Sequence, residues 1–531
     1  MSLRLLLTVL LSHGAWLLPA SAQEFDLVLT GGRIIDGTGN PARFADVAIK
    51  DGRIVGVGRP GTNAAEVIDV SGLIVAPGFI DVHTHAENIF TLPSARNFAR
   101  MGVTTLVLGN CGTSEVNVGR MFERIEQTNV AVNVATLLGQ GSVRSHVMGG
   151  SFLRPPTAAE LNRMKALVRQ AMEDGALGLS TGLIYLPGTF TKTEEIVELA
   201  RVAGEFGGLY ASHMRNEGDE ILGSLEELFT IAREARLPAH VSHLKLGGRN
   251  NWGRTTEVLQ AIADARAAGL DITQDVYAYT ASSTGVSSLI PEEAREGGKF
   301  KERMADPGQR ADVIARMKER ADERGGDFSY AVIASHEHDP KLNGLTIKEA
   351  ASRTRGDDSL EAQIDTILEI QLNGGAAGVF HSMNEEDLRA FMRHPNTMLA
   401  ADSSVRTWQH GVPHPRGYGN NARVVGRYVR EEAVLSLEEA IRRMTSLPAT
   451  TFHIKDRGMI REGAWADLAV FDPATVRDNA TFEQPHQYAT GFRLVLVNGR
   501  PIVENDGPTG HKPGVVVRRG QSRLAAPELV L

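Results

Sequence analysis

The chain has 531 residues, 42% of them hydrophobic and 23% charged, with 55 glycines and a formal net charge of −8. That length exceeds one minimal domain and suits a barrel of about 250 residues or more with a smaller companion, and the composition excludes a disordered chain or a fibrous repeat. With no basic excess to neutralise phosphates, the charge argues against a general nucleic-acid binder.

Residues 1–22 read as an export signal. Arg4 gives a positive start, Leu5 to Leu11 and Ala15 to Leu18 are apolar, and Ser12-His13-Gly14 interrupts them. Ala20-Ser21-Ala22 offers a signal peptidase its small residues, so cleavage is expected before Gln23. The apolar stretch is short and broken for a spanning helix, which predicts a periplasmic or secreted protein without stable membrane insertion. No cysteine follows the cleavage point to carry a lipid, and the lone Cys111 can form no intrachain disulfide.

From 23 to 74 the chain alternates short apolar runs with turn residues such as Gly31-Gly32 and Gly37-Thr38-Gly39, the texture of a small β-domain. At Ala76-Pro77-Gly78 the texture changes to strands alternating with helical stretches, the signature of a parallel α/β fold. Eight strands are expected: one ending in Asp81-Val82-His83-Thr84-His85, then 105–111, 132–138, 177–183, 209–213, 239–243, 272–277 and 397–402. Periodic segments at 158–173, 194–205 and 255–268 supply helices between them. The prediction is a TIM-type (β/α)8 barrel over 75–449, with an inserted subdomain at about 286–357 between strands seven and eight. After the helical 437–444, β-texture returns over 450–531, and the two β-rich ends are expected to pair into one small β-sandwich.

The strongest chemical motif is His83-x-His85 at the end of a hydrophobic strand. Residues two apart on a strand face the same side, so both imidazoles can grip one metal at the barrel mouth, where barrel active sites lie. A second pair, His336-x-His338, reads as a polar loop. Cys111, His213 and His243 also fall at predicted strand ends, and thiolate with imidazole suits zinc. Asp402 closes the eighth strand, where a carboxylate facing the same mouth is the best placed general base.

Together with Pro77-Gly78-Phe79-Ile80-Asp81 ahead of His83, these features resemble the amidohydrolase superfamily. Gly109-Asn110-Cys111-Gly112, Gly178-Leu179-Ser180-Thr181-Gly182-Leu183-Ile184-Tyr185, Ser212-His213-Met214-Arg215, Ser242-His243-Leu244-Lys245 and His414-Pro415-Arg416 are similar to the D-aminoacylase, or N-acyl-D-amino-acid deacylase, family. The resemblance runs from about Leu27 to Gly499. It implies that Cys111, His213 and His243 hold one zinc tightly, that His83 and His85 serve a weaker second position, and that Asp402 is general base and then acid. It further implies that Tyr185, Lys245, Ser282 and Arg416 clamp a substrate carboxylate. The chain departs from the family pattern at Ser403-Ser404 and over Gly417 to Arg423, both near the substrate.

The expected activity is zinc-dependent hydrolysis of N-acyl-D-amino acids, small-molecule chemistry with no nucleic-acid partner. Alternatives are a dipeptidase for dipeptides with a C-terminal D-residue, a cyclic-amide hydrolase of the hydantoinase or dihydroorotase kind, or a non-catalytic exported binding protein. No feature of the sequence fixes an oligomeric state.

Overall fold

The computed structural model describes residues 23–520, so the export signal read at 1–22 lies outside them. Eight parallel strands form the centre: β1 (Phe79–Asp81), β2 (Val103–Leu108), β3 (Asn133–Thr136), β4 (Gly178–Gly182), β5 (Leu209–His213), β6 (Ala239–Val241), β7 (Ile272–Val276) and β8 (Thr397–Leu399). β1 to β3 pair in sequence, and so do β4 to β8. A short continuation of β3, Leu138–Gly139, pairs with β4. The circle closes beyond the ends of β1 and β8, where Asp402 N donates to His83 O at 2.9 Å and His85 N to Ser403 O at 2.8 Å.

Strands buried on both faces read as continuous apolar runs, and every residue of β2 is buried. The bore is filled by Ile80, Val107, Ala135, Leu209, Met398 and their neighbours, so it is a packed core rather than a channel. Outer helices follow from periodicity and caps. In Ala158–Asp174, Met164, Val168, Ala171 and Met172 recur on one buried face. Thr157 and Glu160 form a capping box at its start, and Gly175, at φ 107°, ends it in a conformation that glycine adopts without penalty.

Both chain ends build the small domain. Ile74–Pro77 lies antiparallel to Leu468–Phe471 inside a seven-stranded sheet, and a four-stranded sheet from residues 25–69 packs on it through Leu27, Val47, Ile54 and Leu496. The barrel begins slightly later than expected because Ile74–Pro77 pairs with the small domain. It also extends past 449, since Phe452 and Ile454 plug its lower end. The chain then returns to the barrel, where Val134 N donates to Val515 O at 2.9 Å.

The insertion has its own core, with Val286, Met317, Ile333, Ile364, Ile367 and Phe380 buried together. A three-stranded antiparallel sheet runs through it: Ser282–Gly285 and Ala331–Ser335 flank Ala377–Phe380. The subdomain therefore ends near Phe380 rather than at 357, because the helix Leu360–Leu372 buries its apolar face against it. Among the described residues no helix is long and apolar enough to cross a membrane.

Candidate active site

The predicted strand ends ran too long, and the reason lies in the site itself. Strand pairing stops at Asp81, Leu108, Val241 and Leu399, and the chain then turns sharply to aim side chains into the barrel mouth. Cys111, His243 and Asp402 make these turns in the left-handed region, at φ 52°, 37° and 48°. Such angles are uncommon away from glycine and are held only by surrounding structure.

All five ligand candidates converge. Cys111 Sγ lies 3.3 Å from His83 Nε2, 3.6 Å from His243 Nε2 and 3.8 Å from His213 Nδ1. His83 Nε2 and His85 Nε2 lie 3.6 and 3.2 Å from Asp402 Oδ1. The sulfur thus sits centrally, between the His83–His85 side and the His213–His243 side. His336 instead donates from Nδ1 to Gly375 O at 2.8 Å, away from this cluster.

Two carboxylates behind the ligands escaped the sequence reading. Asp275 accepts from the His243 backbone N–H at 3.0 Å with Oδ1, while its Oδ2 meets His83 Nδ1 at 3.2 Å and His240 Nε2 at 2.8 Å. Burial alone would raise its pKa, but its contacts with His83 and His240 outweigh burial and hold the carboxylate below its ordinary range. Glu217 lies with Oε2 3.5 Å from His213 Nε2 and Oε1 3.0 Å from His243 Nδ1, and accepts from Lys245 Nζ at 2.6 Å. Asp275 hides as one polar residue in a strand. Glu217 sits in Arg215-Asn216-Glu217-Gly218-Asp219, which reads as a solvated charge run.

Asp402 faces the ligands from across the mouth. Burial would push its carboxyl up, yet Arg416 and His83 prevail and hold it well below the usual carboxylate range. The Arg416 guanidinium is buried 2.9 Å from Asp402 Oδ2 and lies 4.4 Å over the Tyr277 ring. Tyr185 stands edge-on to His213, ring centroids 4.9 Å apart, and its hydroxyl accepts from Thr284 at 3.1 Å. Tyr185, Lys245, Ser282, His85 and Asp402 line one chamber of about 420 Å³. A second cavity of about 390 Å³ adjoins it through Ile184, Glu217, Lys245 and Thr284 and reaches the insertion at Leu289, Arg320 and Tyr330.

The donor set fits zinc. Burial pushes the Cys111 thiol up and the His213 and His243 imidazoles down, so the rings are neutral and offer lone pairs around the sulfur. Two donor groups, His83–Cys111–His243 and His83–His85–Asp402, gather ligand atoms within 4.8 Å of one another. A third, His213–Glu217–His243, is already served by a cation, the Lys245 ammonium.

Comparison with known proteins agrees with this arrangement. The family profile described as "Amidohydrolase family" matches residues 66–503. D-aminoacylase of Alcaligenes xylosoxydans xylosoxydans is 35% identical, the match covering 94% of this chain and 99% of that protein. N-acyl-D-glutamate deacylase of the same organism is 34% identical over 95% of this chain and 99% of its own length. The crystal structure of N-acyl-D-glutamate deacylase from Bordetella bronchiseptica, complexed with zinc and a phosphonate mimic of the tetrahedral intermediate, superposes with a TM-score of 0.80 at 34% identity, covering 93% of this chain and 99% of that one. With its barrel, its two-ended β-domain and its cysteine–histidine cluster, this chain belongs to the amidohydrolase family.

Proposed function

We propose that the chain is a zinc-dependent hydrolase that cleaves the amide bond of N-acyl-D-amino acids to a carboxylate and a free D-amino acid. The observation that carries this is the convergence of Cys111 Sγ with imidazole nitrogens of His83, His213 and His243 at 3.3–3.8 Å, with the ionised Asp402 carboxylate facing them from across the mouth. Relatives alike over nearly the whole chain are named for D-amino-acid, N-acyl-D-glutamate and N-acyl-D-aspartate deacylation.

Zinc, when bound, supplies Lewis-acid polarisation of the acyl carbonyl and lowers the pKa of water. Cys111, His213 and His243 would hold it, with His83 and His85 beside them. Asp402 stays ionised at neutral pH and takes the proton of the attacking water. It then returns that proton to the departing amine, since an amide anion is a poor leaving group. Arg416 and Lys245, with Tyr185 and Ser282, grip the substrate carboxylate. Fixing that end sets which stereoisomer presents its carbonyl towards Asp402. The buried walls around the chamber exclude water and strengthen each charged contact.

Zinc-loaded protein assayed side by side on N-acetyl-D-amino acids, their L-isomers, L,D-dipeptides and hydantoins tests the assignment. Turnover confined to D-residue amides is expected, and equal turnover of L-isomers or a preference for hydantoins would reject it. The adjoining cavity of about 390 Å³ leaves room for acyl groups larger than acetyl, which favours dipeptides with a C-terminal D-residue as the second reading. We further propose export with cleavage before Gln23, on the strength of the apolar run and Ala20-Ser21-Ala22. Mass measurement of the protein recovered from the periplasm would show the mature N-terminus.

A further inference from the structure

We infer that Glu217 is the shared positioning residue of the His213–His243 half of the metal site, and that Lys245 ties it to the substrate end. Each imidazole turns one nitrogen towards Cys111 and the other towards Glu217. For His243 these are Nε2 at 3.6 Å from the sulfur and Nδ1 at 3.0 Å from Glu217 Oε1. For His213 they are Nδ1 at 3.8 Å from the sulfur and Nε2 at 3.5 Å from Glu217 Oε2. One carboxylate therefore meets both rings, one oxygen for each.

A neutral imidazole that offers a lone pair on one nitrogen carries its proton on the other. For His213 the side facing Glu217 is thus the N–H side, whereas His243 Nδ1 is held jointly by Glu217 Oε1 at 3.0 Å and by the Lys245 ammonium, which can only donate, at 2.8 Å. Carboxylates in this position fix ring orientation and make the ligand more basic. His213 Nε2 is buried and has no hydrogen-bond partner, so Glu217 Oε2 is the acceptor nearest to hand. The Glu217 charge is balanced by Lys245 Nζ at 2.6 Å, and Lys245 lines the substrate chamber. The same ammonium occupies the place where a further cation would sit, which makes His213–Glu217–His243 an orienting cluster rather than another metal position. Asp275 plays the matching part for His83, at 3.2 Å.

This inference rests on the reading of Cys111, His213 and His243 as metal ligands, and zinc affinity separates the two claims. Purified full-length protein is stripped of metal, and zinc binding is measured by chelator competition for the unaltered chain, Glu217→Gln and Glu217→Asp. Glu217→Gln should weaken zinc binding by about 10- to 100-fold, the usual cost of losing such a partner. It should also shift the visible d–d bands of the cobalt-loaded protein, with melting of the metal-free form little changed. Glu217→Asp keeps the charge but is one methylene short of spanning both rings, so a several-fold loss is expected, and it covers the case in which the glutamine variant does not fold. Unchanged affinity and unchanged cobalt spectra in both variants would overturn the role of Glu217. Failure of the unaltered chain to bind zinc at all would instead overturn the ligand assignment beneath it.

Discussion

Replacing Asp402 by asparagine isolates the proposed acid–base chemistry from the architecture of the site. Asparagine has the same size and tolerates the left-handed backbone at φ 48°, so the turn that follows β8 survives. What disappears is the negative charge that meets His85 Nε2 at 3.2 Å and Arg416 at 2.9 Å, and with it the carboxylate proposed to move a proton in both halves of the reaction. A positioned general acid or base contributes about 10²- to 10⁴-fold, and one group serving twice belongs at the upper end. The expected fall in kcat is therefore about 10³- to 10⁴-fold, equivalent to about 4–5.5 kcal/mol of barrier. KM for an N-acetyl-D-amino acid should move far less, because the proposed carboxylate grip of Lys245, Tyr185 and Ser282 is left in place. Steady-state kinetics on metal-loaded protein, with zinc content measured on the same samples, reads both quantities. A kcat within tenfold of the unaltered enzyme at full zinc occupancy would refute the role given to Asp402.

Arg416→Met removes both a proposed carboxylate contact and the strongest cation beside Asp402. KM should rise at least tenfold, and the acid arm of the kcat profile should move to higher pH, since a carboxyl freed from its cation protonates sooner. Gly182→Ala would place a methyl 2.2 Å from Cys111 O and 2.7 Å from the Tyr185 ring, so zinc content and activity should fall together on metal analysis of the purified variant. Chelation should abolish turnover and zinc should restore it, whereas Cys111→Ser should resist restoration. Away from the site, the wholly buried Arg144 donates to Glu195 at 3.1 Å and to Phe152 O and Arg154 O at 2.9 and 2.8 Å. Arg144→Met strands the Glu195 carboxylate and should cost about 3–5 kcal/mol by urea denaturation.

Much of this molecule was legible in its sequence because strong signals coincided. Apolar strands that end in histidine, cysteine or aspartate announce a barrel and its mouth at once, and His83, His85, Cys111, His213, His243 and Asp402 do meet. The strand limits were less legible. A run such as 397–402 is apolar from Met398 to Ala401, and only the fold reveals that pairing ends at Leu399 before the chain turns. The insertion was drawn short because Leu360–Leu372 has the same helical periodicity as the barrel's outer helices, and periodicity does not say which core a helix covers. Glu217 and Asp275 were missed for a related reason. Their meaning lies in what stands opposite them, residues up to 192 positions away in the chain, as with His83 and Asp275.

The three left-handed residues carry a consequence for any attempt to toughen this protein. Cys111, His243 and Asp402 each hold a backbone angle that most side chains resist, at a cost on the order of 1–3 kcal/mol apiece. Glycine at Cys111 would relax the backbone while erasing a proposed ligand, whereas glycine at Asp402 would also strand the buried Arg416 guanidinium and cost stability on balance. Selection for heat resistance alone therefore gains nothing from keeping the bent corner at Cys111, and only a screen that also demands turnover would preserve it.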